Sequence, residues 1–469
     1  MKWRPIVLLF TAACASAGAT KRNNLVPSSE TLAPGVALAT FDTVWTVVQR
    51  TYVDTGFVSS RWMTVRDSLR PRAMTVTRRA GLEALLASTL AQIHDSHFYI
   101  IPAAIASDVG LDDSGDTGEG TTGLSVRIAG DRALVWRVES GSPAALAAIT
   151  PGETVEQVND RVVRTSIGGI LSLPDASRQR ALSELDFKLN SGLTAAIGDS
   201  VRIRVRKLGQ TMSHKRSLVA VPIRGTVSKF GNLPPIAGIV RVTRQPLTVS
   251  GVARPPRALA GDAAADCVGT IAFNIWLPAL APELDSAVNQ VADCAGIVLD
   301  LRGNPGGVGA MVMGFGGYFV GSPVSLGTMR TRDLALRFAI NPRILSVRGV
   351  RRGPFTGPVA IIVDAMTAST SEIFAAGMQR IGRARIFGQR SAGAALPALT
   401  QGLPSGDVFV HAVADFIDPA GHRIEGAGVI PDEIVPLTEK DLSGNVDAPL
   451  EAAIRWIASL GRAGYRPAR

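Results

Sequence analysis

Apolar residues recur at helical spacing through residues 35–100. They lie three or four positions apart in three successive runs: Phe41, Val44, Trp45 and Val48; Trp62, Val65 and Leu69; and Leu82, Leu85, Leu86 and Leu90. Residues with this period cover one face of an α-helix and bury it against a core. The pattern therefore predicts an N-terminal helical region over residues 35–107.

A second pattern begins near residue 223, where short apolar runs alternate with helical segments. Strands are predicted at residues 271–275, 297–299 and 359–363, and helices at residues 279–292 and 371–381. This alternation favours an α/β fold. The final predicted element is an amphipathic helix that packs on the core through Leu450, Ala453, Ile454 and Ile457.

Polar stretches separate these parts. Residues 18–34 contain Pro and Ser and are predicted to form a linker, and residues 108–122 are acidic and Gly-rich, which predicts a mobile connection and a boundary. The predicted order is a helical region at 35–107, a β-rich domain at 118–222 and an α/β core at 223–469. A chain of 469 residues is long enough for about three such units.

Two motifs follow predicted strands. Residues 300–307 read Asp-Leu-Arg-Gly-Asn-Pro-Gly-Gly, and paired glycines let a backbone turn its N–H groups toward an oxyanion. Residues 367–373 read Thr-Ala-Ser-Thr-Ser-Glu-Ile. A serine at a strand-to-helix turn is a natural nucleophile position. Together the motifs indicate covalent catalysis by a serine.

Four blocks resemble the tail-specific protease superfamily, which includes the carboxyl-terminal processing proteases and the core domains of tricorn protease. Two are the motifs above. The others are Gly-Arg-Ala-Arg-Ile-Phe-Gly-Gln-Arg-Ser-Ala-Gly at 382–393 and Glu-Gly-Ala-Gly-Val-Ile-Pro-Asp at 425–432, in the family's order. The resemblance implies a crotonase-like α/β core, of the ClpP/crotonase type, and a serine-type endopeptidase activity.

The same resemblance bears on how the serine is activated. Carboxyl-terminal processing proteases use a Ser–Lys dyad, but Ala394 stands at the corresponding position, and no lysine occurs between Lys229 and Lys440. The tricorn-like branch uses a histidine from an N-terminal helical region instead. By resemblance to that branch, His97 is the expected general base.

Ser369, His97 and Glu425 supply a nucleophile, a base and an orienting carboxylate. An imidazole can take the proton of a serine hydroxyl, and a carboxylate can fix its tautomer and stabilise the imidazolium. Ser96 is expected to assist on the oxyanion side or within the hydrogen-bond network. The expected oxyanion donors are the N–H groups of Gly306 or Gly307 and of Thr370.

Alternatives remain for each role. His94 competes with His97 and would share its helical face if the segment is helical. Ser371 competes with Ser369, and either serine could be only a helix N-cap. Glu372 is interpreted as a capping-box partner, and Asp300 with Arg302 as a structural pair. Less favoured histidines are His214, His411 and His422.

The β-rich domain resembles a PDZ domain through Gly-Ser-Pro-Ala-Ala-Leu-Ala at 141–147 and the segments at 151–160 and 198–203. In PDZ domains a loop binds the carboxylate of a peptide that adds as a strand to the sheet edge. The corresponding residues are Gly123, Leu124 and Ser125. The alternative is a β-rich spacer that binds no ligand.

The chain starts with a basic tip and a short apolar run, which predicts an export signal over residues 1–17. Two interpretations remain open: cleavage after the Ala-Ser-Ala at 15–17, or a lipoprotein box ending at a lipidated Cys14. No later stretch is long enough to span a bilayer. Export would place the protein in the periplasm or cell envelope, with membrane attachment if Cys14 is lipidated.

Cys267 and Cys294 each precede a predicted strand of one strand–helix–strand unit. In a parallel unit these positions lie at the same sheet end, so a disulfide is geometrically feasible in an oxidising compartment. Two buried free thiols are the equal alternative.

A net charge of +10 arises from arginines scattered along the chain, which argues against nucleic acid as a partner and favours anionic peptides or an anionic membrane surface. Metal-ligand motifs are absent from the sequence, and no cofactor is expected. The sequence therefore predicts an exported serine peptidase acting on a peptide or protein substrate. The alternatives are a non-catalytic peptide- or lipid-binding protein on the same fold, or a scaffold acting through its PDZ-like domain.

Overall fold

A computed structural model describes residues 10–11, 30–103, 119–173, 175–228, 236–249, 252–253, 265–346 and 348–460. Cys14, both predicted cleavage positions, residues 104–107 of the predicted helical region and residues 108–118 of the predicted connection lie outside these ranges. Across the described ranges, no helix combines the length and apolarity that a bilayer crossing requires.

The N-terminal part is helical, as its apolar period predicts. Its elements are β1 (Phe10–Thr11), α1 (Val36–Thr51), α2 (Thr55–Ser59), α3 (Arg61–Thr75), α4 (Arg79–Leu90) and β2 (Tyr99–Ile101). The indole nitrogens of Trp45 and Trp62 each donate to the other's backbone oxygen at 3.0 Å, which joins α1 to α3. The short strand β1 pairs antiparallel with residues 306–307.

The β-rich unit, residues 119–222, is built around one antiparallel sheet. Its elements are β3 (Glu119–Thr121), β4 (Leu124–Ala129), β5 (Arg132–Val138), α5 (Pro143–Leu146), β6 (Thr154–Val158), β7 (Arg161–Val162), α6 (Val163–Leu171), α7 (Asp175–Ser191), β8 (Thr194–Ala196), β9 (Ser200–Arg206), β10 (His214–Val219) and β11 (Val221–Pro222). The sheet order is β10-β9-β6-β5-β4, with β7 beside β6, so β4 lies at an edge. β3 begins inside the stretch predicted as a connection, because residues 119–121 pair with β8 and β11.

The core alternates strands and helices as predicted. Its strands are β12 (Thr226–Ser228), β13 (Ile236–Gly238), β14 (Val240–Pro246), β15 (Thr248–Val249), β16 (Val252–Ala253), β17 (Ala265–Phe273), β18 (Cys294–Asp300), β19 (Gly306–Gly307), β20 (Val324–Arg330), β21 (Ala335–Ile340), β22 (Val359–Val363), β23 (Ala384–Gly388), β24 (Ala398–Gly402), β25 (Val408–Ala412), β26 (Asp415–Ile417) and β27 (Glu433–Ile434). Its helices are a 3₁₀ turn at Pro278–Leu280, α8 (Ala281–Gln290), α9 (Met311–Gly316), α10 (Thr370–Arg380), α11 (Glu439–Ser443) and α12 (Ala448–Leu460).

The central sheet has the order β14-β17-β18-β22-β23-β27, and every neighbouring pair except β14/β17 is parallel. Both of its faces are covered. Ile297 and Leu299 face the cluster that contains α8 and α10, whereas Val298 faces the one that contains α12. A parallel strand buried on both sides reads as a continuous apolar run, which is why β18 and β22 could be predicted.

Cys267 in β17 and Cys294 at the start of β18 form a disulfide, with their Cα atoms 4.9 Å apart. The parallel pairing of these strands brings the two cysteines to one end of the sheet. Of the two alternatives the sequence allows, the structure therefore has the cross-link.

We expect Ile457→Ala to lower the free energy of unfolding of the core by about 2–5 kcal/mol, because removing a buried branched side chain leaves a cavity. Ile457 lies on α12, is 1% exposed and packs against the central sheet. Ile434→Ala is the matched control, since Ile434 is 70% exposed and its truncation should change stability by less than about 0.5 kcal/mol. Denaturant unfolding of both variants measures the difference, and equal midpoints would contradict this packing.

Candidate active site

The site forms where β18 and β22 end side by side. Because the two strands are parallel neighbours, the loops after Asp300 and Val363 leave the same edge of the sheet. The loops bond directly: the Thr367 hydroxyl donates to the Leu301 oxygen at 2.9 Å, and the Ala368 N–H donates to the Asn304 oxygen at 3.1 Å. The glycine motif and the serine motif thus share one site.

Ser369 stands at the turn between β22 and α10. Its backbone has φ 56° and ψ −121°, a conformation that a residue with a side chain rarely adopts. The residue is fully buried, and its hydroxyl has no hydrogen-bond partner among the described residues. A serine held in a strained turn with a free hydroxyl has the local geometry of a nucleophile elbow.

Glu372 holds the Ser369 turn in place through hydrogen bonds. Its buried carboxylate accepts hydrogen bonds from the backbone N–H of Ser369 (3.0 Å), Gly393 (2.7 Å) and Ala394 (2.9 Å), and from the Ser391 hydroxyl (2.5 Å). Burial raises the pKa of Glu372, and the four donors oppose that rise. The bond to Ser369 is the carboxylate half of a capping box, but the other three donors belong to a separate loop. Glu372 therefore joins the nucleophile turn to residues 391–394.

His97 lies on a bend that follows α4, also with positive φ (63°). Its Nδ1 is 2.6 Å from the Ser96 hydroxyl oxygen, which lies 2.9 Å from Oε2 of Glu425. The Ser96 N–H donates to the other oxygen of Glu425 at 2.6 Å. A hydroxyl has one proton, so when Ser96 donates it to Glu425 it must accept from His97 Nδ1–H. That tautomer leaves His97 Nε2 unprotonated, as a general base requires.

Burial shifts the pKa values of His97 and Glu425, the two groups that Ser96 connects. It lowers the pKa of His97 to about 3, with the positive charge of Arg180 as the second cause. It raises the pKa of Glu425 to about 7, opposed by the N–H groups of Ser96 and Ala395. His97 is therefore neutral across the physiological range, whereas Glu425 titrates within it.

The two atoms expected to react are both unpaired. His97 Nε2, like the Ser369 hydroxyl, is a buried polar atom without a partner in the described part of the chain, so the structure has no hydrogen bond between them. Residues 394–395 connect the Ser369 backbone to Glu425 instead: the Ser369 N–H donates to the Ala394 oxygen at 2.8 Å, and the Ala395 N–H donates to Glu425 at 2.8 Å. Catalytic hydrogen bonds are often long before substrate binds.

The glycine loop lies against the nucleophile. A Cβ on Gly306 would fall 2.7 Å from the Ser369 Cβ and 2.9 Å from the Thr370 nitrogen, and its φ is 105°. The Gly306 N–H already donates to the Asn304 side chain at 3.0 Å. The Thr370 hydroxyl donates to the Gly307 oxygen at 2.9 Å and orients that peptide. Of the expected oxyanion donors, the Gly306 N–H is thus already bonded and Gly306 packs against the serine, while Gly307 pairs with Phe10 of β1.

The competing residues have other partners. The Ser371 hydroxyl accepts from the Trp276 indole at 2.8 Å, which turns it away from the role of nucleophile. His94 is exposed, and because the segment bends after α4 it shares no helical face with His97. The remaining histidines lie in other surroundings: His214 in β10, His411 beside Thr51 and His422 beside Asp418.

Arg302 bonds both carboxylate oxygens of Asp300 at 2.8 Å and also pairs with Asp447 at 2.7 Å. The structural pair expected from the sequence is therefore confirmed, and it is extended by a third residue from the segment before α12. Within the described ranges, no group of His, Cys, Asp or Glu could hold a metal ion.

Two supporting contacts are not evident from the sequence. Asp95 accepts from the Tyr52 hydroxyl at 2.8 Å and from Arg423 at 2.6 Å, so the residue before Ser96 is held from two sides. Asp364 accepts from the Gly303 N–H at 2.9 Å and pairs with Arg127 of the β-rich unit. Each contact joins distant parts of the chain, and no local pattern marks it.

The predicted peptide-binding loop lies at the start of β4. The Gly123 N–H donates to the Thr121 hydroxyl at 2.9 Å, Leu124 is buried, and Ser125 pairs with Arg137 of β5. The Gly123 amide, which the PDZ resemblance assigns to a carboxylate, is therefore already bonded within the loop.

Residues 268–435 match the model of Peptidase family S41. The matched segment is similar to family S41 peptidases, and it contains the glycine loop, Ser369 and Glu425. The resemblance to tail-specific proteases is confirmed.

Individual proteins similar to this chain include carboxyl-terminal-processing proteases. One from Picosynechococcus sp. is 25% identical over 396 residues, which cover 84% of this chain and 81% of the relative. One from Synechocystis sp. is 27% identical over 218 residues, which cover 45% of this chain and 48% of the relative.

Solved structures share the fold. A photosystem II D1 C-terminal processing protease matches with a TM-score of 0.56 at 20% identity, covering 90% of this chain and 97% of the other. Mature CPAF matches with a TM-score of 0.59 at 13% identity, covering 92% and 98%. The likeness shows that the chain has the mixed α/β fold of family S41 peptidases.

Gly306→Ala should lower the rate of serine acylation by about 10²–10³-fold, because its Cβ would displace Ser369 and the Thr370 N–H. Gly402→Ala is the matched control, since its Cβ would meet no atom within 4 Å. Labelling rates with a fluorophosphonate, together with circular dichroism to verify folding, measure the effect. Equal rates in both variants would show that the glycine loop is not close to the reacting serine.

The acid limb of kcat/KM should follow Glu425 and not His97. As pH falls through about 7, Glu425 gains a proton and no longer stabilises the imidazolium, so activity falls while His97 itself is still unprotonated. Glu425→Gln should remove this limb and lower the plateau by about 10²–10⁴-fold. The matched control Glu433→Gln, at a half-exposed carboxylate, should keep the wild-type profile. A wild-type limb that persists in Glu425→Gln would contradict the assignment.

Proposed function

We propose that the chain is a serine-type endopeptidase of the tricorn-like branch, with Ser369 as nucleophile, His97 as base, and Ser96 and Glu425 orienting the base. The observation that carries the proposal is that the two unpartnered reactive atoms of the site are the Ser369 hydroxyl and the His97 Nε2. A buried polar atom without a hydrogen bond destabilises the folded protein, and a catalytic role explains why these two are kept.

The proposed reaction is acyl transfer. The Ser369 oxygen attacks a peptide carbonyl while its proton passes to His97 Nε2, and the resulting imidazolium donates through Nδ1–H to Ser96, which donates to Glu425. The N–H groups of Gly307 and Thr370 stabilise the oxyanion. His97 then protonates the departing amine, and a water deprotonated by His97 hydrolyses the acyl-enzyme.

A histidine base rather than a lysine is supported by the residue at the lysine position. Ala394 lies against the nucleophile turn, accepting from the Ser369 N–H, and its methyl group can take no proton. The described chain has no lysine from residue 236 to 439. The base therefore comes from the N-terminal helical region, whose core also includes Phe409 and Leu396.

We propose the same three units as the sequence predicts: a helical region (35–107), a PDZ-like domain (118–222) and a crotonase-like catalytic core (223–469). Three hydrophobic clusters support this division: one lies within the β-rich unit, one within the core, and the one of the helical region also takes in Leu396, Leu403, Phe409 and Ala412 of the core. In a PDZ-like interpretation, β4 and α7 flank the peptide groove, and Gly123, Leu124 and Ser125 begin it.

We propose export to the periplasm or cell envelope, with attachment through a lipidated Cys14 as one form and ordinary signal cleavage as the other. The disulfide between Cys267 and Cys294 supports an oxidising compartment. The substrate would be a peptide or protein.

The test is fluorophosphonate labelling of the full chain with two matched pairs of variants. Ser369→Ala should abolish labelling while Ser371→Ala, whose hydroxyl accepts from Trp276, retains it. His97→Ala should slow labelling by at least about 10³-fold while His94→Ala, at an exposed site, labels normally.

Folded wild-type protein that does not label would overturn the enzymatic proposal and favour a non-catalytic peptide- or lipid-binding protein. Labelling that survives Ser369→Ala but not Ser371→Ala would reassign the nucleophile. Mass spectrometry of the labelled peptide identifies the modified serine in either case.

A further inference from the structure

The edge strand β4 is where a peptide would add to the β-rich unit, since none of the described strands pairs with its outer edge. Strand addition requires free backbone N–H and C=O groups on that edge. On β4, however, the N–H and C=O of Val126 and the N–H of Ile128 are already bonded. Their partners are side chains of α7.

Asn190 imitates the backbone of an added strand. Its Oδ1 accepts from the Val126 N–H and its Nδ2 donates to the Val126 oxygen, both at 3.0 Å. One turn earlier on α7, Asp186 accepts from the Ile128 N–H at 2.9 Å. Residues two apart on a strand and four apart on a helix match in register, so the two side chains follow the path a peptide would take.

The side chain of the residue between Val126 and Ile128 on β4 contacts the core instead of α7. Arg127 is 5% exposed and lies against the Trp136 ring, 4.1 Å from its centroid. Its Nε bonds Asp364 at 2.5 Å, and the other oxygen of Asp364 accepts from the N–H groups of Gly303 (2.9 Å) and Met366 (3.0 Å). A single buried carboxylate therefore holds the glycine loop and the nucleophile loop, and Arg127 fixes its position.

The contact between β4 and these loops is tight. A Cβ on Gly303 would fall 2.4 Å from Nη2 of Arg127. Asn190, which covers the edge of β4, also reaches the Met366 sulfur at 3.6 Å. Separating α7 from β4 would therefore expose Asp186 and disturb the contacts around a buried ion pair, and breaking such a pair is costly.

We propose that Asn190 and Asp186 fill the peptide groove of the PDZ-like domain, and that β4 acts as a fixed support for the catalytic loops through Arg127 instead of capturing substrate C-termini. The second half of the proposal rests on the proposed peptidase function; the first half does not. A substrate would then be selected at the catalytic groove without regard to a free terminal carboxylate.

Peptide binding to full-length Ser369→Ala tests the first half without catalysis. Fluorescein-labelled peptides that end in Ala-Ala are compared as free carboxylates and as amides by anisotropy. We expect both to bind within about twofold of each other, because side chains of α7 already bond the outer edge of β4 at Val126 and Ile128. Free-carboxylate peptides that bind at least about tenfold tighter than their amides, with the difference lost in Leu124→Asp, would overturn the closed groove.

A variant that exposes the outer edge of β4 should show the opposite behaviour, a preference for peptides with a free carboxylate. Asn190→Ala in the same background should gain carboxylate-dependent binding, because it frees the Val126 N–H and removes one of the two side-chain donors to the Val126 oxygen. Asp160→Asn is the control in the same unit, since the Asp160 side chain is 86% exposed. No gain in folded Asn190→Ala would show that β4 is not a peptide groove that α7 fills.

The support role is tested by kinetics. Arg127→Met should lower kcat by about 10²-fold with little change in KM, because displaced loops misplace the reacting atoms. Arg127→Lys should recover part of the rate, since it keeps a charge toward Asp364. Arg202→Met, at an exposed arginine of the same unit, is the control.

A folded Arg127→Met with wild-type kcat, or a change in KM alone, would overturn the support role. An unreactive wild-type chain would defeat the proposed function instead, and the binding result would still decide whether the groove is closed.

Discussion

The carboxylate of Glu372 is the contact on which the active-site geometry depends. It lies on the first turn of α10, where a negative charge is favoured by the N-terminal end of the helix, and it bonds donors from two loops. Without it, the Ser391 hydroxyl and the Gly393 and Ala394 N–H groups would lose this acceptor, at a cost of about 1–3 kcal/mol for each group left buried and unpaired. The nucleophile turn and the 391–394 loop, which leads to the Glu425 contact at Ala395, would then be joined only by backbone bonds such as those from the Ser369 N–H to the Ala394 oxygen and from the Ala392 N–H to the Thr367 oxygen.

Tertiary contacts also hold the backbone of His97, the proposed base. His97 and Ser369 both have positive φ, a conformation that costs of order 1–3 kcal/mol for a residue with a side chain. Such strain persists only where surrounding contacts enforce it. On the histidine side these contacts are Glu425 on Ser96 and the Tyr52–Asp95–Arg423 cluster, and on the serine side they are Glu372 and Ala394.

Local features of the fold could be predicted because they follow from the order of neighbouring residues. The helical period of α1, α3 and α4 and the apolar runs of β18 and β22 needed no tertiary information. Boundaries shifted where side chains compete with the ladder: the predicted strand at 271–275 ends at Phe273, because Asn274 accepts from the Ile239 N–H and donates to the Ala237 oxygen.

The chemistry was only partly accessible from the sequence. Resemblance to a family marked Ser369, His97 and Glu425, but bonds across more than two hundred residues, such as Arg127 to Asp364, leave no local pattern. The use of the Gly306 N–H by Asn304 is equally hidden, since a glycine-rich motif does not reveal which of its amides are already bonded. The bend that separates His94 from His97 also depends on tertiary contacts.

The cross-link between Cys267 and Cys294 has a separate consequence. It closes the end of β18 that is opposite to Asp300, where the glycine loop begins. A disulfide stabilises mainly by restricting the unfolded chain. This one does so at the end of β18 that does not carry the glycine loop, so the cross-link and the site occupy opposite ends of one strand.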